Sequence, residues 1–321
     1  MNEGRIKMIS NLLLLLTALV WGIAFVAQSV GTDYVGPWTF VCTRYILSTL
    51  VLIPVTCFFE KNSRNRDKAS SAPDGPDPRG RNHKLYLAGG ACCGFFLGMA
   101  SLAQQAGIKY TTAGKAGFIT ALYVILVPLM GLLFGRKVGR RIFFCAILGL
   151  TGLYLISIKE GFRIGPGDAL VILCAFLFSC QILCVDYFSE KVDNAVRLAN
   201  TQFFFTALIA ACGMFIFEHP DMTAIRAAGI PILYAGLMSG AVGYTLQIVA
   251  QKHTDPSVAS LLMSMESVFS ALAGWMILGQ GLTAKELFGC VLLFTAVILS
   301  QIPAGEQKGS KENDGSLQRH Q

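Results

Sequence analysis

The sequence predicts an all-α, polytopic membrane protein of ten transmembrane helices, built as two inverted five-helix repeats. Three observations carry this expectation. The chain is 54% hydrophobic and 14% charged, against about a quarter charged in soluble domains. Ten apolar stretches run through its 321 residues, each near the roughly 20 residues that a helix needs to cross a bilayer. Lys and Arg are concentrated in alternate connecting segments, as the positive-inside rule requires. Five is odd, so a second set of five enters the membrane opposite to the first.

The expected spans are 10–30, 37–59, 85–106, 112–135, 141–158, 167–188, 196–217, 227–250, 256–278 and 284–303. Arg5 and Lys7 before a leucine run resemble a signal peptide, but the apolar stretch continues through Trp21 to Val30, too far for an h-region. Pro54 and Pro128 fall inside spans two and four, where a missing N–H is expected to bend the helix. Of the 26 Lys and Arg residues, 19 lie on one side, five on the other, and two (Arg44 and Lys115) within spans. Both termini are therefore expected in the cytoplasm of a multi-pass protein of the cell (plasma or inner) membrane. Residues 1–9 form the cytoplasmic N-terminus, 10–158 the first repeat, 159–166 an external connector, 167–303 the second repeat, and 304–321 a disordered tail. Within the first repeat, 61–84 carries Pro73, Pro76, Pro78, Gly75 and Gly80 among charges, and reads as a disordered cytoplasmic loop.

Sliding the chain by 143 places Gln104 on Gln247, Lys109 on Lys252, Thr111 on Thr254, Ala116 on Ala259 and Gly131 on Gly274. Near an offset of 157, Trp21 falls on Phe178. Inverted halves of this kind build secondary transporters, with the binding site at their interface. Small residues at fourfold spacing, Gly90-Gly94-Gly98, Gly131-Gly135 and Gly236-Gly240, predict close helix packing.

Several function classes are disfavoured. The ten cysteines lie in apolar stretches without metal-ligand spacing, and the four histidines (His83, His219, His253, His320) lie in loops or the tail. No metal, cofactor or catalytic site is expected. The net charge of +7 comes from short loops rather than a basic face with aromatics, so no nucleic-acid partner is expected. There is no Walker-type loop for ATP.

Leu19-Val-Trp-Gly-Ile-Ala-Phe25, Arg44, Tyr110-Thr-Thr-Ala-Gly-Lys-Ala-Gly-Phe-Ile-Thr120, Pro128, and Ser264-Met-Glu-Ser267 followed by Gly279-Gln280 together resemble the drug/metabolite transporter (DMT) superfamily, EamA type. The resemblance covers nearly the whole chain. It implies an inner-membrane carrier of small metabolites, often an exporter of amino acids or related compounds. One departure is Gln280, where the family pattern has Gly-Glu; a role for that acid does not carry over.

Within the spans, Glu266 is the acid expected deepest in the membrane, where a charge costs roughly 2.5–3.5 kcal/mol. It either binds a substrate amine or carries a coupling proton, or is tied to Arg44, Lys115 or helix-end backbone groups. Arg44 is expected in an internal ion pair or on a substrate carboxylate, while Lys115 either snorkels to the interface or grips substrate. Trp21, Phe25 and Gln28 share one face of span one, and Tyr244, Gln247 and Gln251 one face of span eight. With Gln104, Tyr123, Gln181, Asn200 and Gln202 they suit an apolar pocket with a few polar anchors for a small-molecule substrate. The expected partners are the lipid bilayer and that substrate, with protons and a second copy of the chain compatible with the pattern. Alternatives from other classes are an intramembrane lipid-modifying enzyme and a non-transporting membrane scaffold or sensor.

Overall fold

The computed structural model describes residues 3–70, 78–111, 113–136, 138–157, 165–278 and 283–301. The described residues are all-α. In the first half, α1 spans Glu3–Gly31, α2 Pro37–Ser70 and α3 Pro78–Ile108; α4 (Ala113–Thr120) and α5 (Tyr123–Leu133) follow, then α6 (Arg140–Ser157). The second half holds α7 (Pro166–Ser189), α8 (Ala195–Phe217), the short α9 (Met222–Ala227) and α10 (Gly229–Leu233), a π-helical segment Tyr234–Tyr244, α11 (Thr245–Gln251), α12 (Pro256–Met263), α13 (Glu266–Leu278) and α14 (Ala284–Gln301).

Among the described residues, nine helical stretches are long and apolar enough to cross a membrane. They correspond to nine of the ten expected spans. The other expected span, 141–158, is the 18-residue helix α6, which is not one of the nine. The expected disordered loop needs correction at its edges: α2 continues to Ser70 and α3 begins at Pro78. A helix already anchored in a packed bundle propagates through polar residues of fair helix propensity, since only nucleation is costly. Residues 71–77, residues 158–164, which hold most of the expected connector 159–166, and residues 302–321, which hold the expected tail 304–321, lie outside the described residues.

Expected spans four and nine are each two helices rather than one. Between α4 and α5, Ala121 N–H donates to Gly117 O (3.0 Å), Leu122 to Ile119 (3.2 Å) and Val124 to Ala121 (3.0 Å). Between α12 and α13, Ser264 donates to Ser260 (3.0 Å), Met265 to Leu262 (3.3 Å) and Ser267 to Ser264 (3.1 Å). Each bond in the second set lies 143 residues after its counterpart. Both breaks are single tight turns with three-residue closures. Pro128, expected to mark the bend, sits in the second turn of α5, downstream of the break.

Packing follows the glycine spacing. A Cβ on Gly90 would lie 2.3 Å from Thr201 Cγ2, and one on Gly94 2.6 Å from the Gln202 carbonyl oxygen, so α3 seats α8 against bare backbone. A Cβ on Gly236 would lie 2.9 Å from Arg44 O, which lets α2 reach the π-helical segment. Carbonyls of this segment accept bonds from neighbouring helices. Gly236 O accepts from Ser48 Oγ (2.8 Å), Ser239 O from Trp21 Nε1 (3.1 Å) and Gly243 O from Thr17 Oγ1 (3.3 Å). Thus α1 and α2 are tied to this segment. α3 packs along α7 and α8, α1 along α13 and the π-helical segment, α4 and α5 along α7, α5 against α12, and α6 along α14.

Candidate functional site

A cavity opens where α1, α2, α3, α4, α5, α7, the π-helical segment, α11 and α13 converge, with about 420 Å³ of atom-free space in and in front of it, open solvent included. Ten of the fourteen residues singled out from the sequence line it: Trp21, Phe25, Gln28, Arg44, Gln104, Tyr123, Gln181, Tyr244, Gln247 and Glu266. Lys115 does not. Its ammonium pairs with Asp168 at 2.5 Å, at the joined ends of α4 and α7. Asn200, Gln202 and Gln251, expected among the polar lining, also lie elsewhere. Gln251 Nε2 instead donates to Ile182 O (3.2 Å).

The cavity brings one cation and one carboxylic acid together, each surrounded by neutral groups. Arg44, buried on α2, donates from Nη1 to Gln28 Oε1 (3.4 Å) and from Nη2 to Ser239 Oγ (3.2 Å). Its guanidinium carbon lies 4.8 Å from the centre of the Tyr45 ring, within cation–π range. Its Nε has no partner among the described residues. Glu266 begins α13 at the second helix break, and its Oε1 accepts from the Tyr123 hydroxyl (2.9 Å) at the first break. Tyr123 and Glu266 are 143 residues apart. Neither Arg44 nor Glu266 forms an ion pair among the described residues, so the expected internal ion pair is absent there. Arg44 is held by an amide and a hydroxyl instead, and Glu266 by a phenol.

Aromatic rings form one wall. Trp21 and Tyr244 meet at a tilt of 50° with centroids 4.6 Å apart, and behind them Tyr244 lies 6.3 Å from Tyr45 and 6.1 Å from Phe203. Polar side chains bridge the rest: Gln104 Nε2 donates to Thr120 Oγ1 (3.1 Å), and Gln247 Nε2 to Gln181 Oε1 (3.3 Å). Among the described residues, Gln181 Nε2 and Gln247 Oε1 are buried without a partner. Buried polar atoms left unmatched in a cavity are positions where a polar ligand regains hydrogen bonds.

Sequence reasoning missed Ala24, Thr120, Phe178, Ile182 and Ser239 as lining residues. Phe178 carried a signal, as the counterpart of Trp21. Ser239 carried none, because its place depends on the π-helical turn within a run of small residues.

A many-helix, apolar bundle around a polar-anchored central cavity defines a multi-pass membrane protein of transporter type. The EamA-like transporter family model matches residues 8–158 and again 165–301, and the chain belongs to that family, within the drug/metabolite transporter superfamily. It is 28% identical over 302 residues to a protein of Archaeoglobus fulgidus named "uncharacterized transporter", covering 92% of this chain and 87% of the relative. It is 21% identical over 299 residues to a chloroplastic WAT1-related protein of Arabidopsis thaliana, covering 89% and 67%. A solved crystal structure superposes with a TM-score of 0.70 at 17% identity, over 91% of this chain and 96% of the other. That likeness concerns the fold.

Proposed function

We propose that this chain is a secondary transporter that exports small metabolites, such as amino acids or amphipathic drugs, across the cell membrane. Two inverted five-helix repeats, residues 10–158 and 167–303, rock about the central cavity and open it alternately to each side, with both termini in the cytoplasm. The observation that carries this reading is the buried Arg44 and Glu266 lining one cavity, each without a counter-charge among the described residues.

The repeat is supported by the exchange of helices. When each span is replaced by the one five places on, the α3–α7 contact becomes α1 against the π-helical segment and α11, α1–α13 becomes α7–α5, α1–α12 becomes α7–α4, α5–α12 becomes α13–α4, and α2–α8 and α6–α14 return to themselves. The matched breaks at Ala121 and Ser264 support the same pairing. Broken helices beside a site between repeats are the usual architecture of secondary transporters.

The chemistry follows from the residues. A carboxylate or other acceptor on the substrate takes the free Nε–H and outer N–H groups of Arg44 in a planar, bidentate geometry. An ammonium or other donor takes Glu266, replacing the Tyr123 hydroxyl. Trp21, Phe25, Phe178 and Tyr244 receive the apolar part. Energy comes from the substrate gradient or from proton exchange at Glu266.

Purified protein in liposomes tests the proposal. Saturable counterflow is expected with at least one member of a panel of amino acids, sugars and cationic drugs. Glu266→Gln keeps an acceptor for Tyr123 but removes the charge, and is expected to abolish counterflow of amines. Absence of counterflow across the panel, or full activity and an unchanged pH profile in Glu266→Gln, would contradict the assignment.

A further inference from the structure

The two helix pairs that flank the cavity are not equally fastened. In one, α7 lies along α4 and α5; in the other, at equivalent positions, α1 lies along α12 and α13. The first pair carries an ion pair at each end. At the start of α4, the Lys115 ammonium meets Asp168 Oδ2 at 2.5 Å, while Thr111 Oγ1 donates to Asp168 Oδ1 (2.8 Å) and the Gly165 N–H to Oδ2 (2.6 Å). Beyond the end of α5, the Arg136 guanidinium meets the carboxylate of Asp186. Both carboxylates are buried, with side chains 3% and 5% exposed.

The positions equivalent to these four residues carry no charge. An offset of 143 takes Lys115 to Val258 and Arg136 to Gly279, and an offset of 157 takes Asn11 to Asp168 and Ser29 to Asp186. Both offsets hold at once in the structure. Thr111 bonds Asp168, and its counterpart Thr254 bonds Asn11, at a weak 3.4 Å between neutral atoms. At the middle of the second seam is a bare glycine. A Cβ on Gly22 would lie 2.7 Å from Glu266 O, whereas the equivalent position on α7 is Ser179.

We infer that alternating access in this protein is lopsided: α7 and the broken span α4–α5 move as one fastened body, and opening occurs by displacement of α1 against α12–α13. Parting the first seam separates two carboxylates, each little exposed, from their cations, and a charge that loses its partner there is destabilising. Among the described residues, parting the second breaks one weak neutral hydrogen bond, Thr254 to Asn11, and the close contact at Gly22. The glycine seam also ends on Glu266 itself, so movement of α1 there alters the cavity directly. This inference rests on the transporter reading above.

Equivalent exposed positions allow a direct comparison. Leu133 and Tyr187 stand at one end of the first seam; Met276 and Val30 are their counterparts in the second, and all four side chains are at least 40% exposed. Ketone-bearing residues carrying nitroxides would replace either pair, leaving the native cysteines untouched. Distances would be measured by double electron–electron resonance in lipid nanodiscs. The Leu133/Tyr187 pair is expected to give one narrow distribution. The Val30/Met276 pair is expected to give two populations or a distribution at least about twofold broader, as a hinge or rigid-body displacement requires. Adding Asp168→Asn and Asp186→Asn should broaden the first distribution. Equal widths, or a broader first pair, would overturn the inference while leaving a carrier that shows counterflow intact. Two narrow distributions together with no counterflow would overturn both.

Discussion

Gly22→Ala places one methyl group where α1 crosses α13 beside the cavity. An added Cβ would meet Glu266 O at 2.7 Å, Phe269 Cβ at 2.7 Å and Ser270 N at 2.9 Å. Ordinary contact begins at 3.4 Å, so the seam is short by about 0.7 Å. Two of the three obstructing atoms are backbone, which no rotamer change removes. The helices must therefore separate, and overpacking of this kind costs about 1–3 kcal/mol. At about 2–4 °C per kcal/mol for a chain of this order of size, the melting temperature should fall by several degrees. Gly117→Ala supplies the control. It is also a buried helical glycine near the cavity, yet its nearest atoms would be Phe25 Cε2 at 3.9 Å and Phe25 Cζ and Ser267 Oγ at 4.0 Å. That variant should match the parent or gain up to about 1 kcal/mol in helix propensity. Thermal unfolding in detergent, followed by intrinsic fluorescence, compares the two. A Gly22→Ala protein as stable as Gly117→Ala would refute the close approach of α1 to α13.

Other perturbations give separate expectations. Tyr123→Phe removes the donor to Glu266 Oε1, leaving a buried acceptor unmatched at about 1–3 kcal/mol; a lowered unfolding temperature and altered counterflow are expected. Arg44→Lys cannot hold Gln28 and Ser239 in the same forked geometry, and should reduce the apparent affinity for carboxylate-bearing substrates at least about tenfold, or about 1.4 kcal/mol, in competition assays. Lys115→Met takes the cation from Asp168, which keeps its bonds from Thr111 and the Gly165 N–H, and is expected to lower the unfolding temperature. Pairing it with Asp168→Asn should recover much of that loss in the same melting assay.

The helices themselves were readable from apolar length, because lipid leaves the backbone no alternative to internal hydrogen bonding. Ten of the chosen polar and aromatic residues meet in one cavity for a related reason: polar groups in a span turn inward. Other features had no local signature. The breaks at Ala121–Leu122 and Ser264–Met265 contain neither Gly nor Pro, so propensity did not mark them. The π-helical turn that brings Ser239 to Arg44 depends on contacts from Trp21, Ser48 and Thr17 on other helices. From the sequence Lys115 reads as a snorkelling or substrate-binding cation, whereas the structure pairs it with Asp168. Their union depends on the docking of α4 on α7, which one-dimensional spacing does not encode.

The sidedness of the segment that follows α6 bears most directly on a carrier made of opposed halves. A small epitope tag inserted between Ser157 and Gly165 would be probed in intact cells and in permeabilised cells, alongside tags at both termini. The inverted arrangement predicts that antibody reaches the connector from outside while both termini are reached only after permeabilisation. A connector found on the same side as the termini would contradict it, because α7 to α14 would then enter the membrane in the same sense as α1 to α6.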